Sequence, residues 1–247
     1  MELIAGSITD REVIVPDLPG FGLTGPLNSG SSLSAFVDYL TALRTEVGRQ
    51  RGVKPILVGH SFGSILVSHL AASYKDDVDE LVLINPIASP ALEGTARFLT
   101  AVTRAYYALG ARLPERTGRS LLSSPVIVRA MSVAMATTRD PGLRRYIHDQ
   151  HARHFSSFAD RQSLSEAFAT SVAHTVTEVA DHLIMPTLVI AGDRDAIAPI
   201  EPTRAFVAEL SDVEFVELGG VGHLVHYERS VEAASAIMDF CHRRIDG

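Results

Sequence analysis

Short apolar runs alternate along this chain with segments whose apolar residues recur every three or four positions. The runs fall at residues 12–16, 55–58, 81–84, 187–191 and 213–218. Each is compact and bounded by Gly, Pro, Asn or Asp, the pattern of a strand buried on both faces. Between them, Phe36, Val37, Leu40, Leu43 and Val47 keep helical spacing, with Ser32 or Ser34 as cap and Gly48 as the stop. An Ala/Leu/Val/Ser segment after Ser61, residues 201–210 and residues 231–243 read as further helices. Strands alternating with helices at this spacing predict an α/β fold with a mostly parallel sheet and helices on both faces.

The alternation breaks once, over residues 89–182, where no strand-like run occurs and helix signals crowd together. Leu99, Val102, Tyr106, Leu109 and Leu113 recur at three- and four-residue steps. Ser124-Pro125 and Asp140-Pro141 place a capping residue before a proline suited to the first helical position. Ser163 with Glu166, and Thr175 with Glu178, have capping-box spacing. The expectation is a core of residues 1–88 and 183–247 with an inserted helical cap, 89–182. An insertion at the carboxyl edge of a parallel sheet is where lids over ligand sites belong. Met131, Met135, Phe155, Phe158 and Phe168 are candidates to line an apolar pocket there, or to pack helix on helix.

With 247 residues and 46% hydrophobic content, the chain can bury a sizeable core. Its net charge of −7 is spread over both signs, which excludes a basic nucleic-acid footprint. Cys241 is the single cysteine and excludes an internal disulfide; its place in the last helical pattern predicts a buried thiol. No apolar run reaches the length of a membrane span, and the first residues lack a signal-peptide pattern, so a cytoplasmic location is expected. The expected partner is a small-molecule substrate.

The chemistry gathers at the ends of the predicted strands. The run at 55–58 leads into Gly59-His60-Ser61-Phe62-Gly63, with a helix following at once. Glycines two residues before and after the serine allow a sharp turn that lifts the hydroxyl clear of the sheet. A serine hydroxyl is too weak an acid to ionise alone, so it needs an imidazole as base and a carboxylate to orient that imidazole. Gly222-His223 follows the run at 213–218, with His226 as an alternative base. Asp193 and Asp195 follow the run at 187–191. The order Ser, Asp, His is the one G-x-S-x-G hydrolases use.

These motifs resemble the α/β-hydrolase fold family from about Arg11 to the end of the chain. Asp17-Leu18-Pro19-Gly20-Phe21-Gly22 looks like the family's D-x-P-G-x-G loop, Gly59 to Gly63 like its nucleophile elbow, and the helical insertion like its cap. The resemblance favours Asp195 over Asp193, because Gly192, Asp195 and Pro199 match the family's G-x-x-D-x-x-x-P, and leaves Asp193 as a turn residue or a partner for an arginine. It implies catalytic Ser61, Asp195 and His223, with Phe62 in the oxyanion hole through its backbone N–H. His60 is then structural. Family members begin with further strands, one ending in a His-Gly loop that donates a second oxyanion N–H. Neither occurs before residue 12, so a shortened hydrolase is expected, with a gap in the sheet.

His148, His151 and His154 look like a metal cluster, but on a helix the first and third point apart, and a solvated face is expected instead of zinc. Neither G-x-G-x-x-G nor a lysine-bearing phosphate loop occurs. The expected function is a serine hydrolase acting on an ester or related carbonyl compound, small and hydrophobic, with no metal or organic cofactor needed. Alternatives are a carbon–carbon bond hydrolase, a cofactor-free haloperoxidase-like enzyme, or a non-catalytic binding protein of the same fold.

Overall fold

A computed structural model describes residues 1–90 and 97–245. Helix α1 (Glu2–Ser7) and α2 (Leu33–Arg51) precede β1 (Leu57–His60) and α3 (Phe62–Ser73). After β2 (Leu81–Ile84) come five helices, α4 (Arg97–Arg112), α5 (Glu115–Leu122), α6 (Pro125–Met135), α7 (Pro141–His154) and α8 (Arg161–Ala173). A 3-10 turn (Val176–His182), β3 (Thr187–Gly192), α9 (Ile200–Glu209), β4 (Val213–Leu218), α10 (Val225–Glu228) and α11 (Ser230–Ile245) complete the order. The four strands form one parallel sheet in the order β1-β2-β3-β4, with Leu81 opposite Leu57 and Thr187, and Val213 opposite Thr187.

Alternation along the strands explains the core. Val82, Ile84, Leu188 and Ile190 share one face and pack with Ile4 of α1, Val225 of α10, and Ala233, Ile237 and Phe240 of α11. Leu81, Leu83 and Val189 point to the opposite face and are equally buried. Helix α3 packs on β1 and β2, and α9 on β3. Cys241 is buried, as expected, and burial pushes its thiol up to about 12.

The chain divides into two compact units. The sheet unit comprises Met1–Val15, Val37–Ser89 and the chain from Thr175; the helical unit comprises Pro16–Phe36 and Pro90–His174. The division differs from the expected boundaries at residues 16–36, 89 and 175–182. Residues 16–36 fall with the helices because their backbone is tied there: Ala159 N–H donates to Gly20 O at 2.9 Å, Gly22 N–H to Ser157 O at 3.0 Å, and Ser31 N–H to Glu166 at 2.8 Å. Residues 175–182 fall with the sheet because the 3-10 turn packs on α3 and Val176 N–H donates to Ile87 O. Part of the predicted insertion, residues 91–96, lies outside the described residues, as do the side chains of Leu99 and Val102.

Four local expectations are corrected. Residues 12–16 are not a strand: no strand of the described residues lies beside them, and Val13, Ile14 and Val15 are exposed. An extended run becomes a strand only by pairing. Helix α2 continues through Gly48 to Arg51 and stops at Gly52, whose φ of +69° a side chain would resist. Asp160, not Ser163, caps α8, accepting from Ser163 N–H at 2.7 Å, while Glu166 serves Ser31. His148 and His151 are not on a solvated face. Three residues apart, both turn toward α6, are buried, and meet Ser132; only His154 is exposed. Thr175 and Glu178 do form a capping box, at the start of the 3-10 turn.

Candidate active site

The site is built at the carboxyl ends of the four strands. Ser61 is the single residue between β1 and α3, and it holds φ +53° and ψ −120°. A residue with a side chain resists that backbone, so the surroundings must enforce it. Ser61 N–H donates to Ile84 O at 3.1 Å, and Ser64 Oγ donates to Ser61 O at 2.6 Å. A Cβ on Gly59 would stand 2.4 Å from Gly63 O and 2.5 Å from Val67, so only glycine lets β1 run this close to α3. A Cβ on Gly63 would meet nothing within 4 Å. The steric requirement thus falls on the glycine before the serine.

His223 and Asp195 follow β4 and β3. His223 Nε2 lies 2.7 Å from Ser61 Oγ, and His223 Nδ1 lies 2.7 Å from Asp195 Oδ2. Both side chains are almost wholly removed from solvent, His223 at 8% and Asp195 at 0% exposure. Burial alone would raise the Asp195 carboxyl. Hydrogen bonds from His223 and from the backbone N–H groups of Ala198 and Ile197, the latter two on Oδ1 at 2.9 and 2.8 Å, outweigh it and hold the carboxyl below its usual range. An ionised carboxylate only accepts, so His223 Nδ1 must carry the proton. Its Nε2 is then left with a lone pair for the Ser61 hydroxyl. The turns bearing Asp195 and His223 lie in close contact, because a Cβ on Gly192 would come within 2.4 Å of Val221 O and 2.7 Å of Gly222 O.

The other expected residues are distributed as follows. Phe62 is the first residue of α3, directly after Ser61. The His226 ring lies tilted against that of His60, with centroids 4.3 Å apart, and it is His223 and not His226 whose Nε2 meets Ser61. Asp193 accepts from Gly220 N–H at 2.6 Å and shapes the turn before His223. His60 is half-buried, its Nε2 3.0 Å from His223 O; removal of the ring from solvent, and then His223, push it down to about 3. In the helical unit Phe158 is buried and bridges Phe21, Tyr107 of α4 stacks on Phe168 of α8 at 4.3 Å, and Phe155, just past α7, lies edge-on to His151. Among the described residues no His/Cys/Asp/Glu group is placed to hold a metal ion, and no helix is long and apolar enough to cross a membrane.

One residue of the site escapes the sequence pattern. Asn85, at the end of β2, is fully buried, and its Nδ2 donates to Asp195 Oδ2 at 2.5 Å and to Gly222 O at 3.3 Å. In the sequence it reads only as a strand stop before Pro86. The available signal is its position, since the end of a parallel strand is where such sheets place their sites.

Comparison with known proteins agrees with this architecture. A model of the alpha/beta hydrolase family matches residues 2–236. The chain is 26% identical over 242 residues to pyrrolizixenacetamide deacetylase of Xenorhabdus hominickii, covering 96% of this chain and 83% of that protein. It is 28% identical over 185 residues to the alpha/beta hydrolase domain-containing protein VTE7 of Arabidopsis thaliana, 75% of this chain but 52% of that protein, so it spans about half the length of that relative. Among solved structures, a thermophilic esterase from Thermogutta terrifontis is similar at a TM-score of 0.74 and 23% identity, over 98% of this chain and 84% of that one. The chain belongs to the alpha/beta hydrolase family.

Proposed function

We propose that this chain is a serine hydrolase that transfers the acyl group of an ester or related carbonyl compound to water. The observation that carries the reading is the unbroken line Ser61 Oγ, His223 Nε2, His223 Nδ1, Asp195 Oδ2, with both contacts at 2.7 Å. Ser61 Oγ attacks the carbonyl carbon as its proton passes to His223 Nε2, and Asp195 stabilises the imidazolium that forms. The N–H of Phe62 is positioned by sequence to meet the developing oxyanion. His223 returns the proton to the leaving group, the carbon–leaving-group bond breaks, and water repeats the cycle on the acyl-enzyme. The printed activities of the relatives, a deacetylase and an esterase, are both acyl transfers and support the same class.

In this reading the helical unit is the cap that selects the substrate, a small hydrophobic ester, and the protein acts in the cytoplasm. The test is a panel of p-nitrophenyl esters of increasing acyl length, followed through the first turnover. The expected result is a nitrophenol burst equal to the enzyme concentration, strongest for short acyl chains and absent in Ser61→Ala. Saturable binding without any burst would contradict the reading and leave a binding protein of this fold.

A further inference from the structure

Asn85 holds together parts of the site that belong to three different strands. Its backbone N–H donates to Ile190 O of β3 at 2.7 Å, and the preceding carbonyl, Ile84 O, accepts from Ser61 N–H. Its side chain reaches Asp195, after β3, and the Gly222 carbonyl, after β4. Because β2 lies between β1 and β3, a residue at its end stands beside the turns that carry Ser61 and Asp195, and the Asn85 side chain also reaches the turn before His223. The position also carries two costs. Asn85 holds a left-handed φ of +45°, and its Oδ1 is buried without a hydrogen-bond partner. A residue kept only for packing would have neither. The amide orientation is fixed as well, since a flipped side chain would set its oxygen against the Asp195 carboxylate.

We propose that Asn85 is the positioning residue of this site: its amide fixes Asp195 Oδ2 and the loop carrying His223 in one arrangement, and divides the charge that Asp195 presents to the base. The proposal rests on the hydrolase reading above and names a residue that acts through Asp195 and His223, without touching substrate. Two donors, Asn85 Nδ2 and His223 Nδ1, share Asp195 Oδ2. Removing the amide concentrates the carboxylate's charge on His223 and strengthens it as a base. Titratable groups around the pair include His60, with its ring centroid 5.1 Å from that of His223, His226 against His60, Asp193 on the turn before His223, and the Met1 amino group, which acts on His60.

The experiment compares wild type, Asn85→Ala and Asn85→Asp in two readouts: the rate of fluorophosphonate labelling against pH, and the low-field proton resonance of the His223–Asp195 hydrogen bond. Asn85→Ala is expected to label roughly tenfold or more slowly at its best pH, with its acid limb moved to higher pH. Its low-field resonance moves further downfield, because Asp195 Oδ2 has lost a competing donor. Asn85→Asp sets two carboxyls against one another, and such a pair shares a proton. That proton restores the donor, so this variant recovers most of the wild-type rate near neutral pH and then loses it at alkaline pH. Variants that fold, keep the wild-type pH profile and resonance, and differ only in melting temperature would overturn the proposal. Failure of the hydrolase reading looks different, because the wild type itself would not label, while the resonance would still report whether Asn85 acts on Asp195.

Discussion

Among the described residues serine meets histidine twice, once in each unit, and the two meetings are built differently. In the sheet unit Ser61 faces His223 Nε2, and the far nitrogen faces Asp195. In the helical unit Ser132 Oγ lies 2.6 Å from His148 Nδ1 and 2.8 Å from His151 Nδ1. One hydroxyl can donate to only one of these rings and must accept from the other, so the cluster satisfies itself with both rings neutral. Burial lowers both: His148 further through Arg129 and Arg144 against a smaller opposing effect of Asp149, and His151, further through His148, to about 4. Where His223 has a carboxylate to stabilise a positive ring, His148 and His151 have surroundings that oppose one. Proximity of Ser and His is therefore not activation. What distinguishes the two sites is the acid on the far nitrogen and a serine held on a strained turn instead of inside a helix.

Ester turnover should separate the two serines by the largest margin. Ser61→Ala is expected to lower kcat on the order of 10^6-fold, whereas Ser132→Ala keeps it within about twofold and lowers the melting temperature by leaving a buried ring N–H without its acceptor. Asp195→Asn comes next. It preserves the shape but turns the His223 ring to the wrong tautomer, for an expected loss of ~10^4 in kcat with little change in KM. Gly192→Ala acts on the scaffold of the comparison. Its Cβ collides with two carbonyl oxygens, and denaturant unfolding should show about 2–4 kcal/mol of lost stability.

Much of this was legible in the sequence, and the omissions have physical causes. Ser61, Asp195 and His223 are marked by glycines and turns that follow strands, so residue type, order and context converge on them. Strands β2 and β3 are equally plain because each is a compact apolar run, and β4 keeps Val213, Phe215, Val216 and Leu218 around two glutamates. Residues 12–16 carry a similar β-branched run and yet pair with no strand among the described residues, and pairing is a property of neighbours that periodicity cannot carry. Asn85 was hidden because a buried amide before a proline looks like a stop, and its role appears only once β2 is seen between β1 and β3. The burial of His148 and His151 depended on which face α7 turns to α6. That is a matter of helix packing and not of helix content.

The smallest effect sharpens the comparison through acid. A histidine held neutral by burial binds its proton more readily in the unfolded chain, so its contribution is complete above about pH 6.5 and is lost as pH falls toward its lowered value. For His151 that window runs from about 6.5 down to about 4. Protection factors of the α6 and α7 amides, corrected for the intrinsic slowing of exchange in acid, should fall across it, and Ser132→Ala should start that fall from a less protected baseline. Protection factors that stay constant over this range would mean that the cluster does not hold α6 to α7.

The most direct measurement is intact mass followed by peptide mapping after exposure to a fluorophosphonate, on the wild type, Ser61→Ala and Ser132→Ala. The account predicts one adduct per chain on the peptide containing Ser61, present in Ser132→Ala and absent in Ser61→Ala. An adduct on Ser132, or none on a folded wild-type chain, would contradict the claim that the acid behind the histidine is what activates the serine.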